Sequence, residues 1–313
     1  MDPLAVKLLL MDFPKTVATA VRRLVVTNNR RHAMARAAVV LSCIFFVATL
    51  SGVTASLPRV GILHADQTEM PNLQNILQQY FPGGVGIWDG SLIVPPITWL
   101  QQYDALLMFS NFEWINSTAV CANVANYLDQ GGRVVTGLFS TFTNEGSPGT
   151  VCSDGEFNST YLVIVPEIGD DTYTYGTDSL GTVYRPTHAI MQGISNFTYD
   201  NVWEPVPPQQ LVGNSYLVAD WKSGAVMVAA RDGVGPYSRS RVDLGFWPAP
   251  GEDYPDAGAC PWTNTTSGAC PQLQQLVINA LNYTLRDYTS PSPSPASTFS
   301  FFWRSLLSIL FDI

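Results

Sequence analysis

Five consecutive apolar residues, Ala105-Leu106-Leu107-Met108-Phe109, follow Tyr103-Asp104, and few architectures accept such a run. A strand with one wet face alternates apolar and polar positions. A strand apolar throughout is buried on both faces, as in a parallel sheet covered by helices. The neighbouring segments suit that arrangement. Residues 59–64 read as another buried strand, and residues 71–81 as a helix with Pro71 at a first-turn position. Residues 84–88 read as a strand. Residues 117–128 read as a helix closing at Gly131-Gly132, with a strand over 133–138 after it. Strand, helix, strand, helix, strand implies right-handed crossovers and a helix layer on each face of the sheet.

From 140 to 182 the pattern loosens into Gly, Ser, Thr, Asp and Tyr, with short alternating pieces such as 171–175, and a long loop-rich insertion or a small β-subdomain is expected there. Strand-like runs return at 216–221, 225–230 and 241–246, separated by Gly-containing turns. A last helix over 271–288 carries Leu273, Leu276, Val277, Ala280, Leu281 and Leu285 at the spacing of one buried face. No internal repeat is present.

The two ends differ from this middle. Arg22, Arg23, Arg30, Arg31 and Arg36 precede an uncharged stretch over 37–50, and Val53-Thr54-Ala55 supplies small residues for cleavage. That is the layout of a signal sequence. An uncleaved signal anchor is the alternative under the positive-inside rule. The expected organisation is a leader over 1–55, a folded domain over 56–288, a Pro/Ser linker over 289–298 and a hydrophobic tail over 299–313. The tail suits either a lipid-anchor signal or an amphipathic segment lying on a membrane, with Arg304 and Asp312 weakening the first.

A secretory route is also the expectation from five Asn-x-Ser/Thr sequons, at Asn116, Asn158, Asn196, Asn264 and Asn282. Four cysteines follow the leader, Cys121, Cys152, Cys260 and Cys270, and an even number suggests two disulfides. Sequence proximity favours Cys121 with Cys152 and Cys260 with Cys270 among the three possible connectivities. Metal is not expected, since no C-x2-C spacing occurs and only His64 and His188 follow the leader. No cofactor is expected.

Residues 56–288 hold 22 Asp and Glu against 8 Lys and Arg. So acidic a domain repels phosphate backbones, which excludes nucleic acid as an expected partner.

Several short motifs carry a resemblance. Tyr103-Asp104-Ala105-Leu106-Leu107, Leu128-Asp129-Gln130-Gly131-Gly132-Arg133-Val134-Val135, and His188-Ala189-Ile190-Met191-Gln192-Gly193-Ile194 followed by Asp200 are similar to the class I glutamine amidotransferase-like superfamily, in particular its trehalose-utilisation-type branch. Val226 to Phe246 resembles its paired strands around a Gly-rich turn. The resemblance spans roughly residues 58–285 and implies a flavodoxin-like three-layer α/β sandwich with a mostly parallel sheet and a loop-rich insertion. It also implies a Cys nucleophile on a sharp turn, a His that activates it and a carboxylate that orients the His. Here Phe139 stands in the position of the Cys, and Phe246-Trp247-Pro248-Ala249 replaces the Phe-His-Pro-Glu element, so glutamine hydrolysis is not expected.

Two function classes follow. The first is a secreted or cell-surface glycoprotein whose degenerate domain binds a ligand or partner, with carbohydrate as the suited ligand. The second is an extracellular hydrolase of sugars or esters using His64, Asp66, Glu113, Ser140 and His188, although no Gly-x-Ser-x-Gly elbow is present. Ligands in open α/β sheets sit beyond the carboxyl ends of the strands. That edge gathers Asp66, Glu69, Asn111, Glu113, Ser140 and Thr141, which beside Phe112, Phe139 and Trp247 suit a neutral sugar or polyol. Another extracellular protein, or a membrane reached through the leader or tail, are the further partners expected.

Overall fold

A computed structural model describes residues 56–66, 70–140, 152, 157–166, 173–248 and 269–286. The leader, linker and tail, together with Glu69, Thr141, Cys260 and Asn264, lie outside the described residues, as do the side chains of Asn158 and Cys270.

Nine strands form one sheet in the order β2-β1-β3-β4-β9-β8-β7-β5-β6. Its first half is parallel and contains β1 (Val60–Ala65), β2 (Val85–Asp89), β3 (Ala105–Ser110), β4 (Val134–Thr136) and β9 (Arg239–Leu244). Its second half is antiparallel, running from β9 through β8 (Val226–Val234) and β7 (Tyr216–Trp221) to β5 (Tyr173–Val183) and β6 (Thr198–Pro205). β1 and β3 are buried at every position, including the polar His64 and Ser110 near their carboxyl ends.

Successive residues of those strands feed opposite faces. Ile62, Leu107 and Val135 join a core with α1 (Pro71–Tyr80) and α4 (Ala269–Leu285) through Leu73, Leu77, Leu276 and Leu281. Leu63, Leu106, Met108 and Val134 join the opposite core with α2 (Ile97–Leu100) and α3 (Ser117–Asp129) through Leu100, Val120, Val124 and Leu128. This is the expected three-layer α/β architecture, with a mixed sheet.

Local chemistry sets the element ends. The Asn116 side chain accepts the Ala119 N–H at 3.0 Å and caps α3. Gly131, with φ 89°, ends it in the left-handed region. Gly245 follows β9 where a Cβ would lie 1.6 Å from the Val226 carbonyl oxygen, so no other residue fits that approach. Cys121 of α3 is disulfide-bonded to Cys152, with Cα atoms 5.4 Å apart, which fastens the chain beyond the β4 turn to this helix.

The β5–β6 ribbon is richer in regular structure than the loosened sequence pattern suggests. β6 was not read from the sequence, because Thr198-Tyr-Asp-Asn-Val-Trp-Glu-Pro mixes turn formers with strand formers. Glu204 of β6 is 4% exposed, and burial first, then the charge of Asp178, pushes its carboxyl up to about 8. Burial also opposes ionisation of Asp178, yet the backbone N–H groups of Ser223 and Ser179 outweigh it and hold Asp178 below the usual carboxylate range.

An acid whose pKa is higher in the folded than in the unfolded chain keeps its proton preferentially in the folded state. Stability is therefore full below the ordinary value of 4.5 and falls as pH rises toward about 8. Glu204→Gln is expected to flatten that fall and to raise the unfolding free energy at pH 8.5 by on the order of 2 kcal/mol, with no gain at pH 4. Urea titrations at the two pH values measure this. Identical pH dependence in the two proteins would contradict it.

Candidate functional site

His64 is the penultimate residue of β1 and Asp66 follows it, Asn111 and Glu113 follow β3, and Ser140 follows β4. All five stand at the carboxyl edge of three adjacent parallel strands, where the topology of the sheet places ligand sites. Their exposures differ sharply. His64, Asp66 and Ser140 are buried, Asn111 is half-buried, and Glu113 is exposed beside Phe112.

His64 stacks on Phe109 at 6.1 Å between ring centroids, and its Nδ1 has no hydrogen-bond partner. Burial lowers its pKa against the opposing charge of Asp89, so the ring is neutral at pH 7. The Ser140 hydroxyl is also buried without a partner, so no Ser140–His64 hydrogen bond exists. A nucleophile and its base need that bond, and this pair does not make it.

The turn after β4 shows why Ser140 is held inward. Its N–H bonds the Gly137 carbonyl at 3.3 Å, and its own carbonyl accepts from Cys152 at 2.9 Å. Between them Phe139 has φ 67°, a conformation that bulky residues adopt only where the surroundings impose it. That is the backbone of a strained elbow, which in hydrolases and amidotransferases projects a nucleophile. Here it projects a benzyl group, 1% exposed, edge-on to Tyr173 at 5.2 Å and Trp203 at 6.0 Å. Trp247, which the sequence resemblance aligns with the family's His, is 4% exposed. The elbow is filled by packed aromatics.

His188 is not at this edge. It follows β5 and faces an open cleft of about 620 Å³ lined by Tyr184, Arg185, Thr187, Tyr216, Tyr283 and Arg286 among others. His188 Nδ1 accepts the Ile190 N–H at 3.3 Å, which places the ring proton on Nε2, 3.2 Å from the Tyr216 hydroxyl. Tyr216 donates to Asp232 Oδ2 at 3.0 Å, and Tyr283 donates to Asp232 Oδ1 at 2.8 Å. Ser240 at 2.7 Å and Arg286 at 2.9 Å complete the shell of Asp232.

The titration behaviour is that of a fixed scaffold. Burial, reinforced by hydrogen bonds and charge, pushes the Tyr216 phenol above its ordinary value, and burial raises Tyr283 as well. Burial also lowers His188, with the Arg286 and Arg185 charges adding to it against Asp232. For Asp232, burial is outweighed by the hydrogen bonds of Ser240, Tyr283 and Tyr216 and by the Arg286 charge, so it stays ionised. Phenols held protonated and an imidazole held neutral donate hydrogen bonds; none is poised as a nucleophile.

The sequence alone singled out His188 but not its partners. Tyr216, Asp232 and Tyr283 are far apart in the chain, and each reads as an ordinary strand or helix residue. The available signal was Tyr283 on the apolar face of α4 with Arg286 nearly one turn later, a polar tip at the end of a buried stripe. No group of three or more potential metal ligands occurs among the described residues. Exposed sequon asparagines occur at Asn116, Asn196 and Asn282.

No family model matches this chain, and no curated protein matches it. Solved structures are similar to it. The cytoplasmic protein STM3548 from Salmonella typhimurium has a TM-score of 0.50 at 14% identity, covering 73% of this chain and 99% of that one. The cytoplasmic protein STM1381 from Salmonella typhimurium LT2 has a TM-score of 0.48 at 13% identity, covering 71% and 99%. The glutaminase domain of Trypanosoma brucei CTPS, solved with bound acivicin, has a TM-score of 0.37 at 12% identity, covering 75% and 97%.

At these identities the likeness is one of fold alone. The secretory expectation is corrected here. STM3548 is described as cytoplasmic, the opposite of secretion, and the assignment to the secretory pathway or cell surface is withdrawn.

Proposed function

We propose that this chain is a binding module built on an amidotransferase-like fold that has lost acyl-transfer chemistry. The observation that carries the reading is Phe139: the elbow keeps its strained backbone, with φ 67°, while its side chain is sealed among Tyr173 and Trp203. A buried benzyl group neither attacks a carbonyl nor leaves room for one. The unpartnered hydroxyl of Ser140 supports the same reading, since a serine nucleophile needs an adjacent base.

Purified protein is expected to release no ammonia from glutamine above a buffer blank, at any pH between 6 and 9. Turnover that disappears on substituting one cysteine, in a variant with an unchanged melting temperature, would overturn the reading. So would esterase activity abolished by Ser140→Ala.

A further inference from the structure

The cleft beside His188 contains two arginines lying over two tyrosine rings, and among the described residues only one of them has its charge answered. The Arg286 guanidinium lies 4.0 Å from the Tyr283 ring centroid and spends its edge on Asp232 at 2.9 Å and Ser240 at 3.0 Å. The Arg185 guanidinium lies 4.1 Å from the Tyr216 ring centroid, and no carboxylate or other side chain hydrogen-bonds it among the described residues. Stacking uses the π-face of a guanidinium and leaves its in-plane N–H groups free, the geometry that grips a carboxylate or phosphate with two parallel bonds.

We propose that Arg185 anchors a small organic oxyanion, a carboxylate or phosphate carried on an apolar or aromatic body, in this cleft. Three observations support it. The volume of about 620 Å³ suits an organic molecule and far exceeds a bare inorganic ion. The walls supply aromatic surface, with Tyr184 about half exposed and its hydroxyl already bonded to Asp220 at 2.8 Å. Finally, the site is built before the ligand arrives. The Tyr184 and Arg185 N–H groups bond the Val218 carbonyl at 2.9 and 3.3 Å, and the His188 N–H bonds the Arg185 carbonyl at 3.0 Å. Asn279 of α4 holds the following turn through the Ile190 and Gln192 carbonyls at 2.9 and 2.8 Å.

The acidic composition of the chain does not oppose this. Charges farther than about 8 Å are largely screened at physiological salt. Within reach, Asp232 is neutralised by Arg286 and by hydroxyl donors, while Asp220 is turned to Tyr184 and the Thr182 N–H. Among the described residues Arg185 remains as the uncompensated local charge.

The inference stands independently of the inert elbow, because the two sites share no residue. Isothermal titration of the full chain with benzoate, phenyl phosphate and neutral benzyl alcohol tests it. At least one of the two anions is expected to bind about tenfold or more tightly than benzyl alcohol. Arg185→Met, which keeps the stem on Tyr216, is expected to erase that preference, and Arg185→Lys to retain part of it. The stronger anion distinguishes a carboxylate from a phosphate ligand. Equal affinity of the wild type for all three probes, absence of binding, or an undiminished anion preference in Arg185→Met would each overturn the proposal.

Discussion

Arg241→Leu is expected to lower the unfolding free energy by about 3 to 5 kcal/mol, the cost of leaving a buried charge without its partner. Arg241 has no exposed surface, and every part of its guanidinium is engaged. It donates to the Tyr161 carbonyl at 2.9 Å, the Val134 carbonyl at 2.7 Å, Thr136 Oγ1 at 3.1 Å and Asp243 Oδ1 at 3.1 Å. The other Asp243 oxygen accepts the Val163 and Ile164 N–H groups at 3.2 and 3.1 Å. The pair thus fastens residues 161–164 to β4 and β9.

This differs from an ordinary buried ion pair. Replacing both members of such a pair by apolar residues is often harmless. Here the double variant Arg241→Leu with Asp243→Leu also strands two carbonyls and two N–H groups, so it is expected to stay at least about 2 kcal/mol below wild type. Urea denaturation followed by circular dichroism gives both numbers. A loss under about 1 kcal/mol in the single variant would mean that water reaches the site and compensates.

Phe139→Ala is expected to cost about 3 to 5 kcal/mol, because a large ring leaves a cavity against Tyr173 and Trp203 while the backbone strain remains. Phe139→Gly removes one atom more, yet it relieves the positive φ, an effect of order 1 kcal/mol or more. The glycine variant is therefore expected to be no less stable than the alanine variant, reversing the usual order. If Gly falls below Ala by about 1 kcal/mol, the elbow stores no strain at this residue. Neither variant is expected to gain activity.

What the sequence revealed, and what it hid, follows from the range of the interactions involved. The run Ala105 to Phe109 announced a central parallel strand because burial on both faces is a local compositional demand. Pro71 and Gly131-Gly132 marked helix ends because backbone dihedrals are likewise set residue by residue. The same applies to Phe139: its elbow position was legible from the motif beside it.

The polar networks were not legible. Arg241 lies in a strand beside other polar residues, and nothing local says that it is buried; its partners at Val134 and Tyr161 are 107 and 80 residues away. The cleft is hidden for the same reason, since Asp232, Tyr216 and Tyr283 meet only once α4 packs on the sheet. At the carboxyl edge, the parallel strands were legible in the sequence but the burial of the loops was not. Asp66 and Ser140, gathered there as candidate ligand contacts, are enclosed.

The position of β4 has a consequence for synthesis. It pairs with β3 on one side and β9 on the other, and the Arg241 contact to Val134 spans 107 residues. Ribosomes add about 5 to 20 residues per second, so roughly 5 to 20 s pass after β4 is made before its second partner exists. During that interval β4 presents an open apolar edge, the feature that templates intermolecular pairing. A nascent chain stalled before residue 239 is thus expected to collect in aggregates or on chaperones, and one released after α4 to remain dispersed.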